Sequence, residues 1–384
     1  MVELLLVTTI VAILTSATLI LLNPARAIFQ LQPEMADMQQ RMRVGLDALQ
    51  RDLLAAGAGL DWGEAAGPLV RALPPVLPFR IGTRDADRSR GVSYRPDVIS
   101  VVYVPSSPAQ CRLRDWIADG GSPISVEPVP GCPPADPLCG FQEGQQAIVF
   151  DGRGRWDVFR VTGSDPSTGW VFHATDPLVN WYEKGAALAE VVTRTYWVRR
   201  DGAEASLSRY DGYKTDVEIT DHVADFRLEY FGEAEPPRLL PGFPEDAART
   251  SYGPAPPPAG VDDRAEVWPA GENCLFARDP ETGAPRSRLA RLNATDGSLA
   301  LLPAASLGDG PWCPDAFAPN RFDADLFRVR RVRVTLRIRS ALGLLVGSGG
   351  LRLWSGGDQA HTQRLLPDRE IRLDVSPRNL NLGR

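Results

Sequence analysis

The sequence predicts an α+β fold: a long N-terminal helix, half transmembrane and half amphipathic, packed on an antiparallel β-sheet head with large loop insertions. Three observations carry that expectation. Residues Leu4 to Leu22 form an uncharged run of 19. A second stripe at helical spacing follows, Met35, Met38, Met42, Leu46, Leu49 and Leu53, with steps of 3, 4, 4, 3 and 4. Beyond it the 35 Gly and 34 Pro of the 384-residue chain exceed average usage and favour strands and turns over packed helices.

Composition narrows the function classes. Hydrophobic residues at 43% and charged residues at 23% are ordinary globular values, so the chain can bury a sizeable core and is neither collagen-like, wholly disordered nor a polytopic membrane protein. Lys and Arg number 42 against 48 Asp and Glu, a formal charge of −6, which speaks against a dedicated nucleic-acid partner. Three scattered His residues do not suggest a multi-histidine metal site, and no cofactor is expected.

The first element is residues 1–22. At 1.5 Å per residue the Leu4–Leu22 run makes about 28 Å of helix, close to a hydrocarbon core of ~30 Å. Leu4, Leu5, Ile10, Ile13, Leu19 and Leu22 are therefore expected to face a lipid bilayer as a single membrane span. Ala25-Arg26-Ala27 supplies the small residues of a signal-peptidase site, but the start lacks a positive charge and the run is long for a signal peptide. A plain signal anchor fits the run and leaves unexplained a carboxylate, Glu3, at the bilayer edge.

Residues 23–57 continue as the amphipathic half. Pro24 and Pro33 are expected to kink or interrupt the helix, and Ile28, Phe29 and Leu31 keep the intervening segment apolar. The stripe from Met35 to Leu53 is the face expected to pack on the head, with Asp37, Gln39, Gln40, Arg43, Asp47 and Arg51 opposite it. Gly57 and Gly59 stop the helix.

Residues 58–231 read as a β-rich head. After an irregular Pro- and Gly-containing stretch, the expected strands are 97–104, 145–150, 156–162, 169–174, 188–199, 205–210 and 223–231. Asp201-Gly202 is expected to turn a hairpin between Tyr196 and Tyr210. Residues 232–320 form a Pro/Gly-rich insertion, and 321–384 return to the head with strands at 326–339 and 369–375. In the first of these the apolar phase slips at Arg330-Arg331, as an extra residue in a β-bulge would cause. Its arginines are expected to form a solvated face paired with acids such as Glu370 and Asp374.

All five Cys lie beyond the apolar run, which suits an oxidising periplasm. Cys132 and Cys139 bracket a short loop, and Cys274 and Cys313 flank the late insertion, so each pair is a candidate disulfide. Cys111 is left over, or pairs with Cys132 in place of Cys139. No C-x-x-C, nucleophile elbow, H-E-x-x-H, P-loop or dinucleotide-binding glycine pattern is present, and the chain is not expected to be an enzyme. A periplasmic enzyme or ligand-binding domain on a signal anchor is the alternative.

The start Met1-Val2-Glu3-Leu4-Leu5 with its uncharged run resembles that of type IV pilins and pseudopilins. The order of DVISVVYV, YWVRRDG with LSRY, VADFRLEYF, RVRVTLRI and REIRLDVSPRNL is similar to minor pilins of the PilW type and to pseudopilin J of type II secretion. The resemblance implies a structural subunit that primes or caps assembly of a pilus or secretion pseudopilus. It gives Glu3 the role of pairing with a neighbour's N-terminal amine. Met1 would stand third in the mature chain, after a leader ending in Gly that prepilin peptidase removes from the full-length precursor. The implied partners are other minor pilins or pseudopilins, the major pilin and the inner-membrane assembly platform. The implied location is single-pass in the inner membrane with a periplasmic head, then the assembled pilus or pseudopilus.

Overall fold

The structure, a computed structural model, describes residues 2–59, 73–81, 94–107, 109–118, 123–151, 156–173, 178, 180–202, 204–234, 276–278, 285–287, 299–308, 312–313, 322–342 and 366–381. One helix, α1, runs from Val2 to Ala55 over 54 residues. The helical backbone continues through both Pro24 and Pro33, although each removes one N–H from the ladder. It ends where Gly57 takes φ +75°, the left-handed conformation that glycine adopts freely after a helix. Gly57 N then donates to Val102 O at 3.1 Å, and Asn379 Nδ2 donates to the last carbonyls, Ala55 O at 3.4 Å and Ala56 O at 3.2 Å. The chain's C-terminal segment thus caps its N-terminal helix.

Among the described residues strand dominates, at 41% against 23% helix. A five-stranded antiparallel sheet has the order Val76–Leu77, Val98–Tyr103, Val192–Asp201, Glu204–Tyr210, Asp216–Thr220. A four-stranded antiparallel sheet has the order Ala300–Leu302, Val223–Gly232, Val329–Ile338, Arg369–Val375. The second half of α1 packs against strands of both. Met38, Leu46, Leu49 and Leu53 share one core with Ile99, Val101, Tyr196, Leu207, Phe226, Leu336 and Ile338.

The third sheet has the order Gln110–Arg112, Ala187–Glu190, Gln146–Phe150, Trp156–Asp165, Trp170–His173, Ile124–Ser125. Its two outer strands meet. Leu113 bridges Val126, Arg114 N donates to Ser125 O at 3.0 Å and Glu127 N to Arg112 O at 2.8 Å. The six strands therefore close into a small barrel, which leaves no open edge. Cys111, Leu113, Ile124, Val126, Val149, Phe159, Val161, Val171 and Leu188 fill its own core. The strand Gln146–Phe150 is buried on both faces, with Ala147 and Val149 inside the barrel and Ile148 and Phe150 in the main core. That double burial explains the unbroken apolar run AIVF.

The barrel is an insertion. It occupies the connection between Val98–Tyr103 and Val192–Asp201, which are hydrogen-bonded neighbours with Tyr103 opposite Val192. The segment 188–199, expected as one strand, is divided at Val191: residues before it close the barrel and residues after it join the five-stranded sheet.

Two expectations are corrected. The fold class is not a helix with a transmembrane half laid on one antiparallel sheet, because strands dominate and are shared among a barrel and two further major sheets. Among the described residues no helix is long and apolar enough to cross a membrane, which also overturns the single-pass inner-membrane placement with a periplasmic head. The physical reason lies in the described apolar stretch of α1, Val2 to Thr18. It includes Glu3 and five hydroxyl residues, Thr8, Thr9, Thr15, Ser16 and Thr18, which lower its hydropathy.

Smaller differences have local causes. The hairpin pairs Asp201 with Glu204, so its turn lies one residue later than Asp201-Gly202. The segment 326–339 begins as a 3-10 turn, Ala324–Arg328, before the strand Val329–Ile338. Phe231 faces Arg331 while Gly232 faces Val329, leaving Arg330 as the extra residue of a bulge. Arg333 Nε pairs with Asp374 at 2.9 Å, and Arg337 faces Glu370 across the sheet. Within 232–320, Ala300–Leu302 adds a strand to the four-stranded sheet, Phe276–Arg278 pairs with Pro285–Ser287, and Trp312–Cys313 pairs with Phe322–Asp323.

At Gly45 helix and sheet approach closely. A Cβ there would stand 3.1 Å from Thr220 Cγ2 and 3.3 Å from Leu336 Cδ2. Gly45→Leu is expected to destabilise the head by about 1–3 kcal/mol through overpacking, read as a lower urea midpoint with an unchanged slope.

Candidate functional site: the N-terminal helix and its clamp

The helix divides into a held half and a bare half. Along the held half, Glu34, Met38, Gly45, Leu49 and Asp52 recur on the face turned to the head, and all are buried. Two of these are carboxylates, and both are hydrogen-bonded, as burial of a charge requires. Glu34 Oε1 accepts from Ser340 Oγ at 3.0 Å and from Ala341 N at 2.6 Å. Asp52 accepts from Tyr196 OH at 2.6 Å and Tyr103 OH at 3.0 Å, one at each oxygen. Between them Arg41 pairs with Asp37 and with Asp221 of the head, both at 2.9 Å, while its Nη1 stands 3.6 Å from Glu34.

The tyrosines respond to this setting. Burial, reinforced by the Asp52 carboxylate, pushes the Tyr103 hydroxyl up to about 12 and raises Tyr196 further. Both therefore remain donors at neutral pH. In the barrel, Asp157 is held in the same manner: its Oδ2 accepts from Tyr182 OH at 2.7 Å and from Asn180 N at 2.9 Å. Burial raises Tyr182 well above its ordinary value. These carboxylates are engaged by structural donors, an arrangement that joins elements together.

The bare half presents a different surface. Val2, Leu4, Leu6, Val7, Ile10, Val11, Ile13 and Leu14 are between 49% and 76% exposed. The hydroxyls of Thr8, Thr9, Thr15 and Thr18 donate back to carbonyls three or four residues earlier, at 2.8–3.1 Å, a pattern open to helical Ser and Thr. The helix thereby directs few free hydroxyl donors outward. Glu3 is exposed in the first turn, where the helix dipole favours an anion.

The sequence-derived residues are placed as follows. Met38, Leu46, Leu49 and Leu53 are buried, and Met35 and Met42 are partly buried against the same core. Leu4, Ile10 and Ile13 are exposed, while the side chains of Leu5, Leu19 and Leu22 lie outside the described residues. Cys132 and Cys139 form a disulfide with Cα atoms 5.7 Å apart, and Cys111 is free and buried in the barrel. Cys274 and the side chain of Cys313 lie outside the described residues. Among the described residues no group of three or more His, Cys, Asp and Glu side chains is placed to hold a metal ion.

Sequence reasoning did not single out Glu34, Asp52, Ser340 or Asn379. The first two carry a signal: a carboxylate spaced by three or four residues from Met38 and Leu49 lies on the apolar face and requires buried donors. Their partners are hundreds of positions away in some cases and leave no local trace.

Asp52→Ala is expected to cost about 2–4 kcal/mol, since one buried and one half-buried hydroxyl lose their acceptor; chemical denaturation measures it. A pH effect follows with a definite sign. Because the folded state raises Tyr103 above its ordinary value near 10, the folded state holds this proton more tightly than the unfolded chain. The contribution is complete below pH ~10 and is lost as pH rises toward about 12. Tyr103→Phe should flatten that part of the alkaline stability curve.

Compared with protein-family models, curated proteins and solved structures, the chain finds no match.

Proposed function

We propose that this chain is a non-catalytic structural subunit, a minor pilin or pseudopilin, that enters an assembly by placing the bare half of α1 among the helices of neighbouring subunits. One observation carries the reading. The head fixes residues 34–56 of α1 by buried ties, while eight large apolar side chains between Val2 and Leu14 stand in the open. Exposed apolar area of this extent marks an interaction surface, and burying each such side chain contributes about 1.5–3 kcal/mol.

The Met1–Leu5 resemblance supplies the partner class: fellow minor subunits and a major subunit with similar N-terminal helices. In this reading Glu3 sets register by meeting a cationic chain end of the adjacent subunit, since a carboxylate enclosed in an apolar bundle needs an opposite charge. The head supports a low-copy position at an end of the assembly. A barrel projecting from the sheet would obstruct close repetition along a shaft.

The test is incorporation. Ile10→Asp combined with Ile13→Asp is expected to reduce recovery of the chain in sheared or pulled-down assemblies by at least ~100-fold, the equivalent of two lost apolar contacts. The melting temperature of the head should stay at the parental value, because neither side chain touches it. Incorporation at the parental level by that variant would sink the proposal.

A further inference from the structure

We infer that the Cys132–Cys139 disulfide is a redox latch on the inserted barrel: a dithiol that reduces it loosens the barrel and opens the buried Cys111 thiol to solvent. The latch lies on a segment that strand pairing does not hold. Between Val126 on the closing seam and Gly144, whose N donates to Val161 O at 2.8 Å, the chain forms no strand. Its sequence explains why. Pro128, Pro130, Pro133, Pro134 and Pro137 have no backbone N–H to give. Cys132 N, Asp136 N, Cys139 N and Phe141 N each donate to the carbonyl three residues earlier, at 2.9–3.2 Å, in turns that do not fasten the segment to the sheet. Val129 N reaches across to Pro137 O at 2.8 Å.

This weakly bonded segment nevertheless supplies Val129, Leu138 and Phe141 to the barrel core, and Cys132 packs against the same core. The disulfide, with Cα atoms 5.7 Å apart and a sequence separation of 7, joins the two arms that carry those side chains. Closing a ring of that size removes open conformations, and by chain entropy its loss raises the open population roughly 50- to 100-fold.

Cys111 reports the opening. It lies on the strand Gln110–Arg112 beside the seam, and Arg112 O accepts from Glu127 N at 2.8 Å where the segment departs. Its thiol is free and buried. Burial, and then the nearby Glu127 carboxylate, push that thiol well above its ordinary range, so it does not attack the disulfide itself. An external dithiol can. Cys132 and Cys139 are half-buried among exposed Pro130, Gly131, Pro133, Pro134, Ala135 and Asp136. One thiolate of the reductant attacks one sulfur, and the other sulfur leaves and takes a proton. The second thiol of the reductant then displaces the first from the mixed disulfide. Two electrons and two protons pass to the protein, which ends with two thiols, and the reductant ends as a cyclic disulfide. This inference is independent of what α1 does.

The full chain is reacted with N-ethylmaleimide at neutral pH, before and after treatment with dithiothreitol and anaerobic desalting. The Cys111 peptide is followed in time by mass spectrometry, so that other cysteines do not enter the measurement. Labelling of a shielded thiol tracks the open population, and reduction is expected to speed it roughly 50- to 100-fold. Cys132→Ser with Cys139→Ser should label at the fast rate without reductant and gain nothing from it. Should that variant misfold, reoxidation of the reduced parent with oxidised glutathione supplies the comparison, and the slow rate should return. Equal rates before and after reduction would overturn the inference. So would rapid labelling of Cys111 in the oxidised parent, a dithiol effect that persists in the double variant, or a fast rate that survives reoxidation.

Discussion

The architecture depends on burying one face of α1 between residues 34 and 56. That face is the wall common to the five-stranded and four-stranded sheets, and its apolar members join a single core with strands drawn from both. Apolar burial supplies the attraction, which is non-directional. The ties of Glu34, Asp52 and Asn379 add the direction. A helix held by apolar contact alone can rotate or slide by a turn, whereas a buried carboxylate facing two fixed hydroxyls cannot shift without losing its donors. Asp52 meets Tyr103 and Tyr196 on neighbouring strands, so it fixes helix, strand and strand together.

The same helix leaves the head with its apolar character unchanged and its neighbours gone. Two physical regimes therefore meet within one continuous backbone: a half whose buried carboxylates, Glu34 and Asp52, are answered by the head, and a half whose threonine hydroxyls are answered by its own carbonyls. The helical backbone passes from one to the other without a break at Pro24 or Pro33.

Much of the sheet structure was legible in the sequence. Strands rich in β-branched and aromatic residues, such as 98–103, 192–201, 223–232 and 369–375, lie within a few residues of where periodicity places them, because period-two alternation is a local signal. The bulge at Arg330 was legible for the same reason, as a slip of phase. What local signals omit is partnership. Nothing in the runs around 146–150 or 187–190 reveals that they curl into a barrel, since closure depends on Leu113 meeting Val126 across the fold. The membrane expectation for the N-terminal run failed for a different reason: the length of the uncharged run Leu4–Leu22 was given more weight than the hydroxyl residues within it, and among the described residues no helix is long and apolar enough to cross a membrane. The clamp was half legible, in that Glu34 and Asp52 interrupt an apolar face, while Ser340 lies in a loop and Asn379 in a short 3-10 turn, neither with a periodic pattern.

The way the barrel joins the five-stranded sheet bears on the order of folding. Tyr103 and Val192 must meet across nearly ninety intervening residues, and closing a slack loop of that length opposes pairing by about 4 kcal/mol. A barrel that forms first returns its two chain ends to adjacent positions, and the slack is gone before the outer strands zip together. The inserted module then acts as a splint for the sheet that carries it, and a defect in its small core would delay the larger one.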